Sequence, residues 1–262
     1  MHRRQFLSTS LAASAFALAA EGSAQPASQR EFYQLRRYNL KSGPQTKLTE
    51  EYFSGALIPA LGRLGMGPIG AFRLDYGEQT PAYYLLIPSP SADALTKLDL
   101  ILAKDEAFLA TAAPFWDATA AAPSLQRIEI SLLAAFEGWP RVTPPPAAAT
   151  KSKRIFQMRT YESPSNGEHV RKVEMFHSGE FDIFVKAGFH PVFFGDALTG
   201  ARLPNLTYML SLESVAALDD HWNAFRNDPD WKKLSTNPRY AYDQIVTNIS
   251  NLLLSPLDCS QI

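Results

Sequence analysis

Several classes of protein are excluded by what this sequence lacks. Cys259 is the only cysteine among 262 residues, so neither an intrachain disulfide nor a cysteine-based metal cluster can form. The net charge is −1 and the lysines and arginines are scattered, so no basic surface for nucleic acid or anionic lipid is expected. The sequence contains no phosphate-binding glycine loop, nucleophile elbow or zinc motif. We therefore predict no nucleic-acid partner and no metal site.

The N-terminus has the features of an export signal. Residues 3–7 read RRQFL, an alanine-rich apolar stretch follows at 11–20, and Gly22-Ser23-Ala24 suits a signal peptidase. The apolar stretch is too short for a convincing membrane span, although an uncleaved anchor helix is the alternative. We predict that residues 1–24 are a twin-arginine signal peptide. The mature chain would then begin near Gln25 and work in a bacterial periplasm, with no stable membrane insertion.

The rest of the chain is an internal repeat. Residues 32–38, FYQLRRY, return as residues 155–161, IFQMRTY, at an offset of 123 positions. The same offset relates Glu51 to Glu174, Gly65 to Gly188, Pro68 to Pro191, Ser91 to Ser214 and Asp105 to Asp228. A register that holds this far predicts two homologous modules, at residues 30–136 and 153–257. Residues 137–152 between them are rich in proline and alanine, which predicts a semi-rigid extended linker.

Each module has the pattern strand, helix, strand, strand, helix, strand. The first strand alternates in polarity, and the next segment places apolar residues at helical spacing, with Gly65 and Gly188 at the helix ends. This order is that of the ferredoxin-like fold, in which the helices cover one face of an antiparallel sheet. We predict an α+β protein in which two tandem βαββαβ modules pack sheet to sheet as an α/β barrel with the helices outside.

Three segments resemble the NIPSNAP family, which is related in fold to the dimeric α/β-barrel proteins. Residues 34–43, QLRRYNLKSG, resemble the L-R-x-Y-x-L-K-x-G run that opens the family's modules, and residues 157–161 repeat its start. Residues 227–234, NDPDWKKL, resemble the family's D-P-x-W segment, and residues 252–257 its closing strand. The resemblance implies a barrel whose relatives include cofactor-free monooxygenases, haem-handling enzymes and small lyases. It specifies neither a reaction nor a cofactor for this chain.

A polar row on the first strand of each module is the strongest candidate site. Its members are Gln34, Arg36 and Tyr38 in module one and Gln157, Arg159 and Tyr161 in module two. The alternation puts each trio on one face, which we expect to point into the interior between the two sheets. Either each arginine pairs with carboxylates and strand carbonyls and stabilises its module, or the arginines and tyrosines bind an anionic or carbonyl-bearing ligand. The occurrence of both arginines in a duplicated core favours the structural interpretation.

The histidines differ between the modules. All four histidines beyond the signal region lie in module two, and His177 and His190 are the candidates for a general base. Glu174 and His177 share one helix face, while His190 follows Gly188 and Phe189 in the turn into the next strand. His169 and His177 are eight residues apart, about 12 Å along a helix, which is too far to share one metal ion.

Three hypotheses for function follow from the sequence. The first is an exported protein that binds a small molecule in the module-two half of the barrel. The second is an enzyme of the cofactor-free oxygenase or lyase type, with His190 or His177 as base and Arg159 and Tyr161 binding an oxyanion or carbonyl. The third is a non-catalytic interaction scaffold. In each case we expect a homo-oligomer, formed through exposed sheet edges or helices.

Overall fold

A computed structural model describes residues 30–262, so the predicted signal peptide lies outside the described residues. The described chain forms eight strands: β1 Phe32–Asn39, β2 Gly70–Tyr76, β3 Ala82–Ser89, β4 Arg127–Ala135, β5 Ile155–Glu162, β6 His190–Thr199, β7 Asn205–Leu212 and β8 Asn248–Pro256. Its α-helices are α1 Pro44–Tyr52, α2 Ile58–Arg63, α3 Ala92–Thr96, α4 Leu98–Leu102, α5 Glu106–Trp116, α6 Pro146–Ala149, α7 Asn166–Met175, α8 Phe181–Lys186, α9 Ala216–Asn227, α10 Pro229–Ser235 and α11 Tyr242–Ile245.

The eight strands close into one antiparallel barrel in the order β1-β3-β2-β8-β5-β7-β6-β4. Each module contributes four neighbouring strands in the ferredoxin-like order, β4-β1-β3-β2 and β8-β5-β7-β6. The two sheets join edge to edge through β2 with β8 and β4 with β6. The predicted α+β class and tandem ferredoxin-like barrel are confirmed. Over the residues that pair, these sheet edges are joined within the chain, and the homo-oligomer stays a prediction.

The first helical segment of both modules contains the same irregularity. A π-helical turn, Phe53–Leu57, joins α1 to α2, and its counterpart Phe176–Glu180 joins α7 to α8 at the same register. Gly65 and Gly188 follow these helices with φ of 70° and 92°, a left-handed conformation that glycine adopts without a steric penalty. The repeat thus preserves the position of the π-helical turn, although module two adds a kink there, with non-helical backbone angles at Ser178 and Gly179.

Apolar side chains fill both sides of the barrel wall. One cluster lies inside the barrel and includes Tyr33, Phe72, Phe156 and Phe193. Two more clusters lie outside it, where the helices of each module cover the outer face of their own sheet. The strands therefore bury both faces, which is why β3 and β7 are buried along their whole length.

The linker is more ordered than its composition predicted. Residues Pro146–Ala149 form a helical turn, with a proline at the first helical position and three alanines after it. Proline fits that position because its missing N–H would have no helical partner, and alanine has the highest helix propensity. The prediction of an extended linker is wrong for this stretch.

Two classes of feature are missing from the part of the chain that the structure describes. None of the helices in residues 30–262 has the length and apolar character needed to cross a bilayer. Within the same range, no group of three or more histidine, cysteine, aspartate or glutamate side chains is arranged to hold a metal ion.

Candidate functional site in module two

The polar row predicted on the first strands faces the helices and not the barrel interior. Gln34 donates from Nε2 to the carbonyl oxygen of Leu95 at 2.8 Å, and Leu95 lies in α3 outside the barrel. In module two, Gln157 accepts a hydrogen bond from Trp222 of α9. The alternation along β1 and β5 was predicted correctly, but the direction of each face was wrong. The intervening residues, Tyr33, Leu35 and Arg37 among them, point into the barrel.

In module one, Arg36 is a satisfied structural residue. Its side chain is 2 % exposed, and one guanidinium nitrogen lies 2.9 Å from a carboxylate oxygen of Asp99 in α4. Its Nε donates to the amide oxygen of Gln34 at 2.5 Å. Tyr38, further along the row, packs its ring edge against Phe53 at a centroid distance of 4.9 Å. Gln34 and Arg36 thus have polar partners within the module, which agrees with the structural interpretation of the row, while the buried hydroxyl of Tyr38 has no hydrogen-bond partner within residues 30–262.

Arg159, the counterpart of Arg36, has a different environment. The residue in register with Asp99, 123 positions later, is Trp222, so the carboxylate is replaced by an indole. The guanidinium carbon of Arg159 lies 4.4 Å from the centre of the Trp222 ring and 5.3 Å from that of Tyr161. Among the described residues, no ion pair involves this guanidinium, and its Nε is buried without a hydrogen-bond partner. Module two thus keeps the buried cation but not its counter-ion.

The guanidinium of Arg159 lines a cavity of about 420 Å³ between the outer face of the module-two sheet and the helices. We call this cavity the module-two pocket. It contains three residues of the predicted row together with aromatic side chains from α9, α10 and α11. Its lining consists of Gln157, Arg159, Tyr161, Glu180, Trp222, Phe225, Arg226, Trp231, Tyr242, Ile249 and Asn251. The sequence predictions at Gln157, Arg159 and Tyr161 therefore meet in one place, whereas Arg36 and Tyr38 lie in the other module.

A buried ion pair adjoins the pocket. Lys172 of α7 and Glu180 of the π-helical turn are 2.9 Å apart, with side-chain exposures of 0 % and 2 %. Burial raises the pKa of Glu180, although the charge of Lys172 acts in the opposite direction. The Lys172 ammonium also lies 4.3 Å from the centre of the Phe176 ring. With Lys172 and Glu180 joined as an ion pair, the guanidinium of Arg159 leaves the cluster with an excess positive charge.

Three tyrosines surround this charge cluster. The hydroxyls of Tyr161 and Tyr208 lie 3.0 Å apart, and the ring of Tyr242 packs edge-on against Tyr161. Burial raises the pKa of Tyr208 and of Tyr242, so both phenols are neutral. Burial also acts to lower the pKa of Arg159, but these tyrosines, Tyr208 first, outweigh it and raise that pKa. The pocket therefore presents a permanently charged guanidinium beside neutral phenols.

Gln157 holds the indole of Trp222 in place. Its amide oxygen accepts a hydrogen bond from the indole N–H at 2.8 Å, and its amide nitrogen donates to Asn251 of β8 at 3.2 Å. Gln157 thereby links the central strand, α9 and the last strand of the module. Its role in the structure is to position Trp222, on which Arg159 stacks.

Neither predicted histidine lines the module-two pocket. His177 engages both ring nitrogens, Nδ1 with the carbonyl oxygen of Val173 at 2.9 Å and Nε2 as acceptor from the N–H of Gly138 at 3.1 Å. It thus fixes the start of the linker against the helix. His190 is exposed at the first position of β6, where it borders a separate cavity with Arg154 and Glu213. The structure does not bring either imidazole together with Arg159 and Tyr161.

Several pocket residues were not singled out from the sequence. The exchange of Asp99 for Trp222 is readable from the repeat once the register is applied to the second helix. The pairing of Lys172 with Glu180 has no such signal, because eight residues and a π-helical turn separate them. A regular helix would not place these two side chains on one face at contact distance.

The sequence model of the NIPSNAP family matches residues 156–261, from the first strand of module two to the end of the barrel. Module two is similar to a NIPSNAP domain. The match covers the strands and helices that form the pocket, and module one repeats the same arrangement of elements. No curated protein matches the chain in sequence.

Solved structures support the two-module barrel over nearly the whole chain. A candidate monooxygenase from Fusobacterium nucleatum superposes with a TM-score of 0.56 at 9 % identity, covering 87 % of this chain and 93 % of that one. A candidate monooxygenase from Lactobacillus acidophilus gives 0.53 at 12 % identity, with coverages of 87 % and 94 %. An anthrone oxidase-like protein gives 0.51 at 12 % identity, with coverages of 88 % and 93 %. At these identities the likeness shows the fold alone.

Proposed function

We propose that this protein binds a small organic anion with a flat apolar body in the module-two pocket. The observation that carries the proposal is the unpaired guanidinium of Arg159, whose counterpart Arg36 is neutralised by Asp99. The duplication makes Arg36 an internal reference, since both arginines occupy the same position of the same strand. Because Trp222 stands in place of that carboxylate, the charge of Arg159 remains available to an anion from outside the protein.

Electrostatics favours an anionic ligand over a neutral one. A partly buried cation without a counter-ion is costly, because it has lost hydration without gaining a partner. Lys172 and Glu180 cancel each other, so the charge of Arg159 is left uncompensated within the cluster. A ligand carboxylate or sulfonate would accept charge-assisted hydrogen bonds from the guanidinium, a pairing that arginine forms with favourable bidentate geometry.

The walls of the pocket indicate the rest of the ligand. Trp222, Phe225, Trp231 and Tyr242 supply aromatic surface, and Ile249 adds aliphatic surface at β8. A volume of about 420 Å³ lies within the range of small-molecule sites. Aromatic rings next to a single anchoring charge suit a ligand with one acidic group and one or two fused rings.

Binding is a better-supported proposal than catalysis at this site. The enzyme hypothesis assigned His190 or His177 as base, and neither histidine lines the pocket. Among the residues lining the pocket, Glu180 is the only carboxylate, and it is held by Lys172. The barrel relatives described as candidate monooxygenases share the fold, and a reaction in this pocket would need a base other than the predicted histidines.

Isothermal titration with 1-naphthoate and its neutral analogue 1-naphthamide tests the proposal. We expect the protein to bind the acid more tightly than the amide. Arg159→Met should weaken naphthoate binding about tenfold to a hundredfold, since a hydrogen bond to a charged group contributes roughly 1.5–3 kcal/mol. It should leave naphthamide binding nearly unchanged. Equal affinity for acid and amide, or a preference that survives in Arg159→Met, would refute the proposal.

Two further variants serve as controls. Trp222→Asp supplies Arg159 with the carboxylate that Arg36 has, and we expect it to abolish the preference for the anion. Arg226→Met removes another lining arginine, which is exposed and donates to Asn223 at 2.6 Å, and should change naphthoate affinity little. A larger effect at Arg226 than at Arg159 would assign the anion to the rim of the pocket.

We also propose that the protein is exported by the twin-arginine pathway and acts in the periplasm. Support comes from the sequence of residues 1–24, which has an arginine pair, an apolar stretch and small residues before the predicted cleavage site. Export of an already folded chain is compatible with a barrel in which β4 pairs with β6 and β2 with β8 across the two modules. Mass measurement of the mature N-terminus tests this proposal.

A further inference from the structure

A second and larger cavity opens at one end of the barrel interior. Its volume is about 700 Å³, and we call it the barrel mouth. It lies on the inner face of the wall, whereas the module-two pocket lies on the outer face, and the two share only Ile249 and Asn251 of β8. The predicted polar row does not reach it, because that row faces the helices.

The barrel interior is divided into an apolar half and a polar half. Tyr33, Phe72, Phe156, Phe193 and Ile262 fill one end as packed core. Towards the other end, the inward-facing positions of the same strands become hydroxyls and amides. The inward-facing polar residues of the mouth that carry no charge are Ser131, Thr160, Asn205, Thr207, Asn248 and Ser250.

The wall of the barrel is open beside the mouth. β4 pairs with β6 only from Leu132 onward, so residues 127–131 have β1 on one side and no strand among the described residues on the other. β8 likewise pairs with β2 only from Leu253, which leaves the edge of residues 248–252 free. Free strand edges present N–H and C=O groups that can bond to a ligand.

The charged residues lining the mouth balance in formal charge, because Arg37 and Arg202 are matched in number by Glu78 and Glu129. Arg37 donates to the carbonyl oxygen of Glu78 at 2.7 Å and lies 3.8 Å from the carboxylate of Glu129. Arg202 donates to Ser250 at 3.1 Å and lies 3.7 Å from the carboxylate of Glu162. Each guanidinium therefore has a carboxylate nearby, in contrast to Arg159. The mouth offers many donors and acceptors but no excess charge of either sign.

We propose that the barrel mouth binds an uncharged polyhydroxylated compound, a mono- or oligosaccharide. Sugar hydroxyls both donate and accept hydrogen bonds. The carboxylates, guanidiniums, amides and hydroxyls of the mouth provide acceptors and donors for them. The ring of Tyr84 and the side chains of Leu35 and Met158 supply apolar surface for the C–H face of a sugar ring. The inference is independent of the organic-anion site, because the two cavities share no charged residue.

The hydroxyl pair at the base of the mouth provides a conservative variant. Thr160 and Thr207 lie across from each other on β5 and β7, with their hydroxyl oxygens 2.8 Å apart. Thr207→Val keeps the side-chain shape and removes one hydroxyl. Asn248→Ala removes an amide at the exposed rim, where it donates to Glu162. The test variant combines Thr207→Val with Asn248→Ala. The matched control is Thr111→Val, on the exposed face of α5.

Saturation-transfer NMR with maltose, cellobiose and N,N′-diacetylchitobiose tests the inference on the full described chain. We expect transfer to at least one disaccharide, with amide shift changes confined to the mouth strands. Thr207→Val with Asn248→Ala should weaken binding about tenfold, since each neutral hydrogen bond contributes roughly 0.5–1.5 kcal/mol. Thr111→Val should have no effect, and 1-naphthoate affinity should be unchanged in all three proteins.

Four outcomes would overturn the inference. They are no transfer to any of the three sugars, shift changes mapped to the module-two pocket, equal sugar affinity in the test variant, and binding of glucuronate in preference to every neutral sugar. If the double variant does not fold, Ser250→Ala replaces it, because that change removes only one hydroxyl from the mouth. Failure of naphthoate binding with intact sugar binding would refute the proposed function and leave this inference standing.

Discussion

Replacing Arg36 by methionine should lower the stability of the protein more than replacing Arg159 does, although the two arginines occupy equivalent positions. Methionine keeps most of the length and apolar volume of the side chain and removes the charge. In module one this change removes an ion pair to Asp99 and a hydrogen bond to Gln34. In module two it removes a cation stacked on Trp222 that has no ion-pair partner among the described residues.

The magnitude for Arg36→Met follows from the exposure of its partner. Breaking a fully buried ion pair costs about 3–5 kcal/mol, because one charge is left without a partner. Asp99 is 50 % exposed and will be rehydrated, so that figure is an upper limit. We expect the free energy of unfolding to fall by about 2 kcal/mol. For a domain of this size, the loss corresponds to a decrease in melting temperature of about 4–8 °C.

Arg159→Met should change the free energy of unfolding by no more than about 1 kcal/mol. The variant loses a cation–π contact with Trp222, which contributes about 1–2 kcal/mol when partly buried. It also loses a Coulombic attraction to Glu180 but removes a buried, desolvated guanidinium with an unpartnered Nε, which destabilises the folded protein. These opposing contributions nearly cancel.

Urea unfolding followed by circular dichroism measures both variants against the wild type. Equal destabilisation by Arg36→Met and Arg159→Met would refute the reasoning and restore the symmetric structural interpretation of the row. A third variant, Asp99→Asn, should lower stability less than Arg36→Met, because an amide can still accept a hydrogen bond from Arg36.

Three further predictions concern the charge cluster, the histidines and the signal. Protonation of Glu180 removes the only anion from the cluster. Since burial raises its pKa, affinity for 1-naphthalenesulfonate, whose charge does not titrate, should increase as the pH falls through that raised pKa. Glu180→Gln should abolish this dependence, and a flat profile in wild type would contradict it. His190→Gln and His177→Gln should each leave naphthoate affinity unchanged. A tenfold loss of affinity in either variant would show that the histidine contributes to binding. Mass spectrometry of periplasmic protein should find Gln25 at the N-terminus, and full-length chain would exclude cleavage.

The sequence alone was sufficient to predict the order of strands and helices and the presence of two homologous modules. The 123-residue offset aligned two copies of one fold, and the period of each segment identified strands and helices. The same offset contained the exchange of Asp99 for Trp222, which distinguishes the two arginines. This exchange breaks the symmetry of the repeat at the module-two pocket. His177 and His190 do not line that pocket, and their catalytic role stays a prediction.

Alternation along a strand determines that Gln157, Arg159 and Tyr161 share a face, and the amino-acid sequence alone establishes that much. It does not determine which face, because both faces of this barrel wall are buried, one by the opposite sheet and one by helices. Hydrophobicity therefore cannot tell inside from outside. Tertiary structure decided that these residues meet the helices, that a π-helical turn brings Glu180 to Lys172, and that β4 and β8 extend past their neighbours at the mouth. Each depends on contacts between segments distant in sequence, which a local pattern does not specify.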